Sequence, residues 1–240
     1  PKGSNYLRNR SMTTYKGGPS EYDSKYNYFY TGGHIGVTNM YSDLSPSPNI
    51  LSTDLGFTRL GFGGEFGLRC DSRLSFRASL SWMRLRADDY YQNLSSQYGP
   101  ERYARNLSVR NDLVEFGIVG VVDLIGNRGS YKMRADYTPY FFGGINVFYH
   151  NPKAMGPKGS DSEGTWVPLQ PLGTEGQGRP GYSKPYSLIQ VGFPVGLGIR
   201  HQLTERLDIS FEIGWRITTT NYLDDVGAKY YADPQVFGTN

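Results

Sequence analysis

Leu207, Ile209, Phe211, Ile213, Trp215 and Ile217 alternate with Asp208, Ser210, Glu212, Gly214, Arg216 and Thr218. Successive side chains of a strand point to opposite faces, so Leu207 to Thr219 predicts a strand with one oily and one wet face. The same period of two recurs upstream. It runs through Phe29, Thr31, Gly33, Ile35 and Val37; through Leu60, Phe62, Gly64, Phe66 and Leu68; and through Leu74, Phe76, Ala78, Leu80 and Trp82. It returns in Val114 to Leu124, in Phe141 to Tyr149 and in Ile189 to Ile199. Pro194 lacks the N–H that a ladder needs and predicts a bulge or a ladder gap in the sixth strand.

The connections alternate in length. Cys70 to Ser72, about Gly126 to Asp136, and His201 to Arg206 are short. Tyr41 to Thr58, Ala87 to Arg105, Asn151 to Pro185 and the stretch from Asn221 are long. Short turns at one end and long loops at the other are the pattern of an outer-membrane barrel, with the short turns periplasmic. The expectation is an all-β, antiparallel up-and-down transmembrane β-barrel. Seven strands are visible. Bacterial single-chain barrels have even strand numbers, so an eighth is expected after Asn221, in a part of the protein that this sequence does not show.

Alternation alone does not say which face points inward. The polar faces carry Arg59, Glu65, Arg69, Arg77, Glu115, Arg200, Glu212 and Arg216 among glycines. Both signs among small residues suit a narrow lumen, with glycine making room for long side chains that pair as an ion network. Aromatics gather near strand ends at Tyr26, Tyr28, Phe29, Tyr30, Trp82, Tyr137, Tyr140, Phe148 and Tyr149, as interfacial girdles would. Both patterns put the oily face outward, toward lipid.

Composition agrees. Mean hydropathy is −0.52, and no apolar run approaches the ~18–20 residues of a spanning helix. Net charge +3 does not argue for nucleic acid. Cys70, the single cysteine, sits at a tight turn as a structural thiol. Residues 1–25 form a basic, periplasmic N-terminal arm and residues 26–240 the barrel with its loop at 151–185. An exported protein sheds its leader, so a processed chain is expected.

Catalytic patterns are weak. The inward glutamates have no nucleophile placed beside them. His34 with a nearby serine imitates a hydrolase pair but reads more simply as a satisfied lumenal histidine. Asp43, Asp224 and Asp225 match no compact calcium loop and suit capping and turn roles. Gly173 to Gly178 lacks the strand and helix of a phosphate cradle. The loop at 151–185 carries Trp166, Val167, Leu169 and Leu172, so it packs over the barrel mouth, against a protein partner, or both.

Pro139–Ile145, Phe148–Ala154 and Leu169–Gly178 resemble PorG, as do Asn39–Leu44 and Thr218–Val226. The resemblance covers about Tyr28 to Ala232, and Leu-Gly-Thr-Glu-Gly-Gln-Gly and Tyr-Leu-Asp-Asp-Val are its most specific parts. It implies a non-catalytic outer-membrane component of the type IX secretion system of Bacteroidota, without cofactors. It also implies association with a periplasmic ring of PorK and PorN, and support of gliding motility where bacteria glide. The family ends in a further membrane strand, which Phe237–Asn240 does not supply. Candidate partner contacts are Lys2, Arg8, Arg10, Arg128 and Arg206 on the arm and short-turn side, and Trp166, Leu169 and Leu172 in the long loop. Two rival functions stand beside this one: an outer-membrane lipid-modifying enzyme, and a small structural or adhesive barrel.

Overall fold

The computed structural model describes residues 27–40, 58–88, 108–127, 132, 134–156, 158–225 and 227. It is all-β: an antiparallel up-and-down sheet of seven long strands curled through 215°, a half-barrel. The strands are β1 Tyr28–Thr38, β2 Arg59–Arg69, β3 Leu74–Asp88, β4 Ser108–Asp123 and β5 Tyr137–Tyr149. A small hairpin, β6 Pro152–Met155 and β7 Trp166–Pro168, interrupts the order before β8 Ile189–Gln202 and β9 Asp208–Thr218. Hydrogen-bonded neighbours run β1-β2-β3-β4-β5-β8-β9, with β6 added beside the far end of β4. Among the described residues β1 and β9 are edges that do not pair with each other.

The predicted alternation becomes a convex and a concave face. Registers such as Phe62 opposite Trp82, Leu80 opposite Phe116, Ile118 opposite Ile145 and Leu197 opposite Ile213 keep the apolar rows aligned across the sheet. Most of the side chains in these rows remain exposed, from 39% at Val195 to 88% at Ile35, and Trp82 is half-buried. The concave rows pair Gly67 with Arg77, Ser81 with Glu115 and Gly198 with Glu212.

At Pro194 the predicted disruption takes the form of a gap. The β5–β8 ladder lapses between Gly143–Val195 and Asn146–Gly192, and the register resumes unshifted, so no residue is bulged out. The lapse falls at Pro194, whose backbone nitrogen cannot donate.

The β3–β4 hairpin is longer than predicted, because Arg84–Asp88 and Ser108–Asp112 continue the ladder beyond the pairing with β2. The loop at 151–185 contains two short strands, β6 and β7. Of the aromatics assigned to girdles, Tyr28, Tyr30, Tyr140 and Phe148 fall on the concave face by register, and Tyr140 and Phe148 are buried. Phe29, Trp82, Tyr137 and Tyr149 do face outward. Tyr26 lies outside the described residues.

Several interior glycines make room for rings, as Gly32 does for the Glu65 side chain. A Cβ on Gly67 would fall within the Tyr30 ring, one on Gly198 within 2.5 Å of Tyr140, and one on Gly214 within 2.9 Å of Phe142. Gly67→Ala is expected to destabilise the sheet by about 1–3 kcal/mol through overpacking, and Tyr30→Leu to remove most of that penalty. Denaturant unfolding of the two single variants and the double variant measures the coupling; additive costs would contradict the fit.

Candidate functional site

The concave face holds a charge network that joins strands distant in the sheet. The Arg77 guanidinium donates to Glu212 at 2.6 and 3.1 Å and lies 3.3 Å from Glu65, linking β3, β9 and β2. The Arg216 Nε donates to Glu115 at 2.8 Å, and the Asn146 amide donates to the same carboxylate at 2.6 Å. Near the short turns Asp123 is fully buried between Arg69 and Arg200, the latter at 3.2 Å. Arg69 also donates to the Asp71 and Ser72 carbonyls, tying the β2–β3 turn to β4. Seven of the eight residues expected in the network thus meet as pairs or triads. Arg59 stands at the start of β2 and donates to the Thr58 carbonyl at 2.9 Å. A carboxylate inside a sheet needs a cation at contact distance, and these arrangements supply it.

His34 and Ser81 approach to 3.0 Å, and His34 Nδ1 lies 3.9 Å from Glu65. Ser81 is buried, and Glu65 is shared with Arg77.

At the long-loop end the polarity of the faces inverts. Along β3 the outward side chains pass from Leu80 and Trp82 to Arg84 and Arg86, while the inward ones pass from Ser79 and Ser81 to Met83 and Leu85. Along β4 the outward set passes from Val114 to Asp112 and Arg110, and the inward set from Glu115 to Leu113 and Val109. Met83, Leu85, Val109, Leu113, Phe148, Met40 and Leu169 form one buried apolar cluster. Through Leu169 the long loop packs over this end of the sheet, so Leu169, expected among the partner contacts, is a buried residue of the cluster. Trp166 is half-buried with the Arg110 guanidinium 5.7 Å from its ring centre, and Leu172 is exposed. Arg206 is exposed on the β8–β9 turn; Lys2, Arg8, Arg10, Arg128 and Asp43 lie outside the described residues.

The two most specific peptide segments meet above this cluster. Tyr186 donates to Asp225 at 2.5 Å, and Thr174 donates to its other oxygen at 2.5 Å. The Gly227 amide donates to Glu175, and the Asn111 amide donates to the Leu223 carbonyl at 2.7 Å. Gly173 and Gly176 have φ of 58° and 84°, and a Cβ on Gly173 would lie 2.7 Å from the Gln177 carbonyl oxygen. Side chains are excluded there on both counts. His150, Tyr186 and Tyr222 stack in series, with ring centres 5.9 and 4.6 Å apart. These contacts were beyond sequence reasoning, because loop partners are set by three-dimensional closure. The unusual Gly spacing and the Asp-Asp pair were the available signals.

No family model, curated protein or solved structure matches the chain.

Burial holds the His150 imidazole below its usual range, against a smaller opposing effect of the Ser187 carbonyl. Burial also raises Asp225, opposed by the Thr174 and Tyr186 hydroxyls. The two titrate in opposite senses. A depressed histidine contributes stability above its unfolded value, lost as pH falls below about 6.5. A raised carboxylate contributes stability at low pH, lost as pH rises through its folded value. Between pH 7.5 and 5.5 hydrogen exchange across residues 170–186, once corrected for its intrinsic pH dependence, is therefore expected to accelerate on acidification as His150 becomes protonated. His150→Phe, which keeps a ring in the stack, is expected to abolish that acceleration; an unchanged pH profile would exclude His150 as its source.

Proposed function

We propose that the chain is an outer-membrane barrel component with a non-catalytic anchoring role, of the kind PorG has in type IX secretion. The observation that carries the membrane part is the pairing of an exposed apolar belt on every long strand with an interior of matched charges. Water would penalise such a belt, and a bilayer favours it. Along β4 and into Leu124 just past its end the belt runs from Val114 to Leu124, within the ~9–11 residues that a tilted crossing needs. The polarity inversion at Trp82 and Val114 then marks the bilayer boundary on the long-loop side.

The tether reading is supported by the sequence resemblance. On this reading the short turns face the periplasm. The β8–β9 turn is braced there by Arg134, which donates to the Thr204 and Glu205 carbonyls and to Asp208, leaving Arg206 exposed for a partner such as the PorK and PorN ring. Cell outer membrane is the corresponding location.

The His34–Ser81 contact gives the lipid-hydrolase alternative its one specific observation. Burial of Ser81 and the hold of Arg77 on Glu65 suit an interior brace better. Loss of a lipid-modifying activity on His34→Ala would favour the enzyme.

A photo-crosslinker at residue 206 is expected to capture a periplasmic protein in cells, whereas one at residue 172 does not. Capture at 172 with none at 206 would contradict the orientation and the tether. Separately, Ile118→Arg in mid-belt is expected to cost about 2–4 kcal/mol on folding into bilayers. Equal folding of the variant would contradict the membrane reading.

A further inference from the structure

Among the described residues the concave face is closed over at both ends, by two layers of different chemistry. At the long-loop end Met83, Leu113 and Phe148 of β3, β4 and β5 are buried together with Met40 and Leu169, and Leu223 packs against them. Met40 follows β1 and Leu223 follows β9. The two edge strands do not pair, yet the segments leaving them meet in this one cluster. It therefore reaches across the mouth from edge to edge, and every member is apolar.

Toward the short turns a second layer crosses the interior. Val119, Val121 and Tyr140 form a buried cluster with Phe142 packed against it. Below it Asp123 joins Arg69 and Arg200, linking β2, β4 and β8, and the Asn127 amide donates to the Tyr28 hydroxyl of β1 at 3.5 Å. Arg69, Ser75, Asp123 and Tyr140 are each no more than 2% exposed. Between the two layers exposure returns. The side chains of Glu65, Glu212 and His34 are 20%, 29% and 39% exposed, and they stand on β2, β9 and β1, beside the gap that the unpaired edges leave.

An apolar constriction excludes water by dewetting, and ion pairs packed against rings at contact distance leave it no passage. We propose that the lumen is sealed twice, by an apolar plug on the long-loop side and by a layer of rings and buried charges on the short-turn side. The chain then passes neither ions nor small solutes. The polar chamber around Ser79, Glu65 and Arg77 is blind from both faces of the bilayer. The proposal rests on the membrane reading above, and it excludes a channel as the work of this barrel.

The test uses the full chain in phosphatidylcholine vesicles, in a Cys70→Ser background. Ser79→Cys places a thiol in the chamber, opposite Glu65 and Gly117. Leu172→Cys and Arg206→Cys place exposed thiols at the two ends. A membrane-impermeant cationic methanethiosulfonate is supplied either outside the vesicles or within them. The thiols at 172 and 206 are each expected to react from one side, and from opposite sides. The thiol at 79 is expected to react from neither side, and to react fully once urea unfolds the chain. Reaction at 79 from the side of 172 would overturn the apolar plug, and reaction from the side of 206 the lower layer. Discrete conductance steps of the wild type in planar bilayers would overturn both. Phe148→Ala with Leu169→Ala is expected to open position 79 to the side of 172 alone. Continued protection in that variant, or reaction from both sides, would overturn the cluster as a separate seal. Thiols at 172 and 206 reacting from the same side would instead overturn the membrane reading, and the sealed lumen with it.

Discussion

A strand cannot turn over one side chain without turning over all of them, and the whole structure depends on that parity. Each antiparallel register here aligns outward rows with outward and inward rows with inward, from Phe29 opposite Leu68 through Ile199 opposite Phe211. A slip by one residue in any pair would put a row of Phe, Leu and Ile among arginines. The exposed belt and the charged interior are therefore two expressions of one constraint.

The interior shows how the constraint is met. Its pairs are not between sheet neighbours alone: Arg77 with Glu212 and Arg216 with Glu115 join β9 to β3 and β4 across the concavity. The curl of the sheet and the ion pairs support each other, because the charges meet only when the sheet is curled. Rings fill what remains, against glycines that leave them space. Beyond Trp82 the same strands leave the belt, and parity is kept while chemistry reverses. Apolar Met83 and Leu85 turn in under Leu169, and the arginines turn out.

The strands were legible because period-two alternation is local, and β2 was legible to the residue. The network members were legible as charges on a wet face. The extension of β3 and β4 was not, because the face that turns apolar inside is read from Met83 and Leu85 only once a loop is known to cover them. Interior rings such as Tyr140 were misassigned for a related reason. Position near a strand end suggested an interface, but parity with Asp123 and Glu115 on the paired rows decided otherwise. The loop cap of Thr174, Tyr186 and Asp225 depends on segments far apart in sequence, and no local pattern encodes it.

The central claim is that the odd positions of β9 face hydrocarbon and the even ones the interior. Single cysteines from 207 to 219 in a Cys70→Ser background, carrying nitroxide labels in bilayers, test it directly through relaxation by oxygen dissolved in lipid and by a water-soluble nickel chelate. The account predicts strong oxygen and weak nickel relaxation at positions 209, 211, 213, 215 and 217, with the opposite balance between them. A flat profile, or nickel reaching the odd positions, would contradict it.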